Sequence, residues 1–135
     1  MRFKRIGATI TATLAVVTGG ALANAAPAAA VGGCESGKLC LYRSTEYRTM
    51  SFEASSTGAC FWLEDYGLTA PWNGINSYVN NLPVKATLYN RGSASMWYPV
   101  ATIRAGGFSS DTGAVTTDGS WFRYSEKICT GTAQP

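Results

Sequence analysis

A chain of 135 residues with 46% hydrophobic side chains is long enough for one ordinary domain with its own core. Its formal charge of +3 arises from 11 basic and 8 acidic side chains, and Arg2, Lys4 and Arg5 carry the whole excess at the amino terminus. The rest is balanced and scattered, which argues against a nucleic-acid groove or a polybasic membrane surface, and the absence of histidine removes the usual general base.

In chain order, the basic start is followed by an apolar run from Ile6 to about Val17 and a small-residue stretch ending in Ala23-Asn24-Ala25. Residues 1–25 therefore read as a secretory signal peptide. A membrane anchor needs about 20 consecutive apolar residues, whereas Thr9, Thr11, Thr13 and Thr18 interrupt this run. Cleavage is placed after Ala25, with Ala28-Ala29-Ala30 as a second small-residue site. Residues 26–33 are expected to form a flexible lead-in, 34–130 a single domain and 131–135 a tail. After signal cleavage the chain is expected to be a secreted, extracellular monomer without a membrane attachment.

Leu39 and Leu41 alternate with Cys40 and Tyr42 in a first predicted strand. Met50, Phe52 and Ala54 alternate with Ser51, Glu53 and Ser55 in a second. Cys60-Phe61-Trp62-Leu63 is a short apolar run, and Glu64 to Pro71 allows one helical turn at most. The stretch from Trp72 to Tyr89 reads as strand, turn, strand: Ile75, Ser77 and Val79 share one face, and Val84, Ala86 and Leu88 share another. Between them, Asn80-Asn81-Leu82-Pro83 is a break where the chain should leave one pairing and enter the next, the seam between two similar halves. Asn90-Arg91-Gly92-Ser93 is a predicted turn, Ser95 to Ile103 a strand that Pro99 confines to an edge or a bulge, and Ala105 to Gly113 a loop. Trp121 to Ile128 is predicted as a strand with Phe122, Tyr124 and Ile128 on one face. No stretch has a useful helical period, and many short strands separated by turn signals predict an antiparallel sandwich.

Cys34, Cys40, Cys60 and Cys129 are the four cysteines, and in an exported chain they imply two disulfides. Three connectivities are open, and spacing does not decide among them; the working assignment joins Cys34 to Cys40 and Cys60 to Cys129. In the loop-entropy description the short bridge contributes ~2.4 kcal/mol and the long one ~4.4 kcal/mol. A zinc site is disfavoured, because neither Cys60 nor Cys129 has the nearby second cysteine of a zinc ribbon.

The run Cys34-Glu35-Ser36-Gly37-Lys38-Leu39-Cys40-Leu41-Tyr42, then Tyr47, Cys60, Tyr66-Gly67, Ile75-Asn76-Ser77-Tyr78-Val79-Asn80-Asn81 and Thr87-Leu88-Tyr89, resembles secreted actinobacterial peptidase inhibitors of the metalloproteinase-inhibitor type. The resemblance implies an all-β, βγ-crystallin-like Greek-key sandwich of two four-stranded motifs. It also implies that Tyr47 takes an aromatic corner and that Ser77 ties down the folded hairpin beside it, because a hydroxyl satisfies backbone groups freed at a fold. Arg48 and Thr49 depart from the pattern, which has a glycine soon after the corner.

Crystallin-like calcium sites need oxygen side chains where this sequence has Trp72-Asn73-Gly74-Ile75-Asn76-Ser77, and Asp118-Gly119-Ser120 is only a fragment of the motif. Calcium is therefore disfavoured, and no cofactor or metal is expected.

The expected function is inhibition of an extracellular protease through a rigid exposed loop, and the resemblance implies a zinc metalloprotease as the target. Asn90, Arg91, Gly92, Ser93, Ala94, Ser95, Met96 and Trp97 are the candidate loop, although no disulfide closes it. The competing reading of these eight residues is an ordinary hairpin turn. A second function class is a non-inhibitory binding or envelope-associated module for glycan, protein or weakly bound calcium. Trp62, Trp72, Trp97 and Trp121 could serve it, but in a small sandwich most tryptophans are expected in the core. Enzymatic activity is not expected: with no histidine and all cysteines oxidised, only the adjacent Glu64-Asp65 remain, and they read as a solvated turn.

Overall fold

The computed structural model describes residues 30–69, 74–114 and 120–135. The predicted signal peptide, residues 26–29 of the lead-in, and Trp72, Asn73, Asp118 and Gly119 of the calcium-type motifs lie outside the described residues.

Eight strands and one short helix are described: β1 Leu39–Tyr42, β2 Met50–Ala54, β3 Cys60–Trp62, β4 Ser77–Asn80, β5 Ala86–Arg91, β6 Trp97–Ile103, β7 Phe108–Ser109, α1 Ser120–Tyr124 and β8 Lys127–Thr130. They form two antiparallel four-stranded sheets, ordered β2-β1-β4-β7 and β3-β8-β5-β6. Each half of the chain thus keeps three strands together and sends its third to the opposite sheet. This is the Greek-key sandwich expected from the sequence.

Registers define how the halves correspond. Tyr42 faces Ser77 where β1 meets β4, and Tyr89 faces Lys127 where β5 meets β8. Each opening hairpin also carries a bulge, since Leu41 and Tyr42 face Phe52 and Met50, while Leu88 and Tyr89 face Ala101 and Pro99. Ser51 and Val100 are the extra residues. Pro99 thus sits on an edge strand beside a bulge, where its missing amide costs no interior ladder bond.

The seam is at Asn80. Its side-chain nitrogen donates to the Val84 and Arg104 carbonyls at 3.0 Å each, and its side-chain oxygen accepts from the Leu82 amide at 3.1 Å. A fully buried amide satisfies the backbone where the chain changes sheets, as buried polar groups must.

Leu39, Leu41, Phe52, Ile75, Leu88, Ile103, Phe122 and Ile128 fill the core between the sheets. All four residues of β1 are buried, because a second cluster of Cys34, Cys40, Tyr42 and Val79 covers the outer face of the first sheet. Residues 30–33, expected to be part of a loose lead-in, build that cover. Val31–Gly33 forms a 3-10 turn, and the Tyr42 hydroxyl donates to the Gly32 carbonyl at 3.1 Å.

Three element predictions are corrected. The predicted strand from Trp121 to Ile128 is helix α1 followed by β8. Phe122 is buried and stacks on Tyr78 with ring centroids 5.5 Å apart, whereas Tyr124 is 58% exposed. On a helix, residues two apart point in different directions, so the apparent alternation was coincidental and the burial of Phe122 decides. The predicted loop from Ala105 to Gly113 contains β7, whose two residues pair with Tyr78 and Val79 and complete the first sheet. The predicted turn at residues 90–93 begins later, since β5 continues through Arg91. The single helical turn allowed after Leu63 is present as a 3-10 turn at Glu64–Tyr66, and it carries the Glu64-Asp65 pair.

Candidate functional site

The β5–β6 hairpin projects from the second sheet. Asn90 and Arg91 end β5 and Trp97 begins β6, so the candidate segment contains two strand ends and a turn at residues 92–96. The Gly92 amide donates to the Met96 carbonyl at 2.7 Å. Ala94 and Ser95 are both left-handed, with φ of 60° and 58°, the backbone that suits a tight hairpin's twist. Neither is glycine, so each conformation costs about 1 kcal/mol and persists only where its surroundings enforce it. Gly92 has ordinary extended dihedrals and is needed for closeness, since a Cβ there would lie 2.0 Å from the Tyr98 ring. Ser93, Ala94, Ser95 and Met96 are exposed, Met96 at 54%.

Beneath the turn lies a charged aromatic cluster. Phe61 and Ile128 face the core, so their neighbours Trp62 and Lys127, which pair directly, project from the outer face. By the same alternation Arg91 and Trp97, also a direct pair, project beside them. The Trp62 and Trp97 rings meet edge to face at 5.4 Å. Lys127 Nζ lies 4.2 Å and 4.5 Å from the two ring centroids, and the Arg91 guanidinium 5.4 Å and 5.1 Å. Both cations are within cation–π range of both rings. The Glu126 carboxylate accepts from the Arg91 amide at 3.2 Å and approaches its Nε at 3.9 Å. A groove of about 420 Å³ adjoins the turn, lined by Tyr89, Met96, Trp97, Pro99 and Gln134 among others.

Arg91 and Trp97 belonged to the predicted loop, but they form its base rather than its tip. Lys127 and Glu126 were missed, and Trp62 was singled out only for the binding-module reading. Most tryptophans are expected in the core; Trp62 and Trp97 are half-buried on the outer face instead. Nothing local in the sequence marks the cluster; its one trace is the disulfide. Cys60 and Cys129 are direct partners on β3 and β8 and are bonded to each other, and stepping two residues outward along antiparallel strands sets Trp62 against Lys127. The second disulfide joins Cys34 to Cys40.

The first-half hairpin is held differently. Ser77 is fully buried; its Oγ accepts from the Tyr47 amide at 3.1 Å and donates to the Ser44 carbonyl at 2.6 Å. The Tyr47 ring meets Tyr42 edge to face at 5.7 Å. Thr49, where the crystallin pattern favours glycine, is left-handed with φ of 59°. This hairpin spans residues 43–49 between Tyr42 and Met50, whereas the second spans 90–98 between Tyr89 and Pro99. Counted from the matching tyrosines the second is two residues longer, because β5 and β6 stay paired through Arg91 and Trp97.

Asn76 and Ser77, the described remnant of the calcium-type run, direct polar groups to backbone: the Asn76 side-chain nitrogen donates to the Arg43 carbonyl, and Ser77 makes the two bonds above. Among the described residues, no group of three His, Cys, Asp or Glu side chains is placed to hold a metal.

The sequence model of peptidase inhibitor family I36 matches residues 27–95, half of the chain, from the lead-in into the second hairpin turn and ending before Met96. No curated protein and no solved structure gives a match.

Proposed function

The chain belongs to peptidase inhibitor family I36, hence to a family of inhibitors rather than enzymes, and we propose that it acts after secretion, as a monomer, by placing the turn at residues 92–96 in the cleft of an extracellular zinc metalloprotease. The observation that carries this reading is the turn itself: exposed at its tip, preset by two left-handed residues and closed by the Gly92–Met96 hydrogen bond. A loop already in its bound shape avoids most of the ordering cost of association. Met96 supplies an apolar side chain for a substrate pocket, and a turn carbonyl is the group suited to the open position of a catalytic zinc. Two disulfides suit an oxidising compartment, and no described helix is long and apolar enough to cross a membrane.

The test is a titration of the oxidised protein against a thermolysin-like metalloprotease, with a subtilisin-like serine protease in parallel. Stoichiometric loss of metalloprotease activity alone is expected, and Met96→Ala should weaken it by about tenfold if the side chain fills a pocket. Inhibition of the serine protease alone would replace the target class. Inhibition that survives substitution of Ser95 and Met96 together would move the site away from this turn.

A further inference from the structure

We infer that Lys127 is a positioning residue for the inhibitory turn: with Arg91, Trp62 and Trp97 it braces the second hairpin at the place where a buried serine ties the first. This deepens the proposed function and rests on it, because the turn being braced is the one assigned to the protease.

The inference comes from register. Ser77 faces Tyr42 and Lys127 faces Tyr89, at matching ends of matching strand pairs and on the outer face of each sheet. Ser77 reaches the shorter hairpin with one hydroxyl, bonding Tyr47 and Ser44 at once. In the second, pairing continues past Tyr89 through Arg91 and Trp97, so the turn begins three residues beyond Tyr89, and a serine hydroxyl at position 127 would be too short to reach it. Lysine has the length, and it contacts the turn through the indole of Trp97, the residue that follows Met96. Arg91 lies against the same ring from the opposite side of the hairpin's mouth, and the Gly92–Met96 bond closes directly above this pair.

The cluster joins all the elements whose relative placement sets the turn. Trp62 comes from β3, Lys127 from β8, Arg91 from β5 and Trp97 from β6, the four strands of the second sheet in order. The Cys60–Cys129 bridge fixes β3 against β8 two residues away, so Trp62 is held at one end of the row. Two cations around two rings would repel each other if nothing offset them. Glu126 engages Arg91 through its backbone amide and guanidinium, while Lys127, which meets no carboxylate among the described residues, is held by the ring faces. Removing Lys127 leaves the Trp97 ring held by Arg91 and the Trp62 edge alone. The two left-handed residues then lose part of the surroundings that enforce them.

The experiment compares Lys127→Ser, Lys127→Arg and Ser77→Ala in the oxidised protein. Three readouts are the inhibition constant for the metalloprotease, cleavage between residues 92 and 97 followed by mass spectrometry, and hydrogen exchange at the Gly92 amide. Lys127→Ser should raise the inhibition constant and speed Gly92 exchange by about two- to fivefold each, the scale of one exposed cation–π contact, and turn the loop into a substrate. Lys127→Arg keeps a cation on the rings and should stay close to the parent. Ser77→Ala should lower the unfolding midpoint while leaving the inhibition constant unchanged, which separates positioning from general stability.

The inference is overturned if the parent inhibits through the turn, as shown by Met96→Ala, yet Lys127→Ser leaves both inhibition and Gly92 exchange unchanged. It is also overturned if Lys127→Arg loses as much as Lys127→Ser. If the parent inhibits neither protease, the functional reading fails separately; Gly92 exchange then still decides the brace, with faster exchange in Lys127→Ser supporting it and an unchanged rate overturning it.

Discussion

The two halves of this sandwich share a topology and hold their hairpins by different physics. In the first, a fully buried hydroxyl satisfies two backbone groups and an aromatic corner packs above it. In the second, a half-buried row of rings and cations lies under the turn at residues 92–96. A buried neutral hydrogen bond is directional and insensitive to salt, and it costs heavily when broken because its partners stay buried. A surface cluster of rings and charges is weaker and tolerates a longer reach. The comparison teaches that the Greek key specifies where a hairpin must be fastened, while the length of the hairpin decides which side chain can fasten it.

The largest effect should come from the bridge that joins the halves. Cys60 and Cys129 are 69 residues apart in sequence, whereas Cys34 and Cys40 are 6 apart. Replacing the first pair by serine should cost ~4 kcal/mol and the second ~2 kcal/mol, measured by urea unfolding. A larger loss from the short bridge would show that the outer cover of the first sheet, rather than chain closure, governs stability. Next in size is Phe122→Ala, at about 3 kcal/mol for an emptied core site, against less than about 0.5 kcal/mol for exposed Tyr124→Ala. Equal costs at the two positions would be the outcome expected of a strand with both on one face, and would contradict helix α1.

That pair also shows what the sequence made readable. The seam was legible because Asn80-Asn81-Leu82-Pro83 concentrates residues with a specific backbone reason to stop pairing, and β1 and β2 because Leu39, Leu41 and Phe52 alternate with partners of a different kind. Helix α1 was illegible because five residues contain too little of a helical period, and Phe122, Tyr124 and Ile128 imitate an alternation. Strand β7 has two residues in a glycine-rich stretch, so only its partners Tyr78 and Val79 define it. The turn at residues 92–96 could be read from composition. Its base could not, since Trp62 and Lys127 are 65 positions apart and become neighbours only through strand register.

Ser77→Ala and Lys127→Ser sharpen the contrast between the halves directly. The first leaves the Tyr47 amide and the Ser44 carbonyl without their partner and should cost about 1–3 kcal/mol, nearly independent of salt. The second should cost about 0.5–1 kcal/mol, and the Arg91–Glu126 pair that remains should weaken as ionic strength rises. Unfolding midpoints at low and high salt for both variants test this. If the lysine variant is the more damaged, the surface cluster is a principal support of the fold as well as a brace for the turn.

The smallest effect is a pH dependence that should begin in the first half. Tyr42, Tyr47 and Tyr78 are each held above the ordinary phenol value of 10.0, chiefly because burial disfavours the phenolate, with Glu46 adding to the effect at Tyr47. Lys38 is held above its ordinary 10.5 by hydrogen bonds to the Glu53 and then the Glu35 carboxylate. For all four, the folded state retains protons that the unfolded chain releases, so their contribution is fully present below the unfolded values and is lost as pH rises through the folded ones. Without histidine, no side chain ordinarily changes charge near pH 7. Stability should therefore be level from about pH 6 to 9 and decline above about pH 10. The Tyr47 amide, which donates to Ser77, should lose its exchange protection, measured against the intrinsic rate at each pH, before the Gly92 amide does. Simultaneous loss of protection at both amides would mean that the sandwich opens as one unit, and that the two fastenings, however different in chemistry, do not release independently.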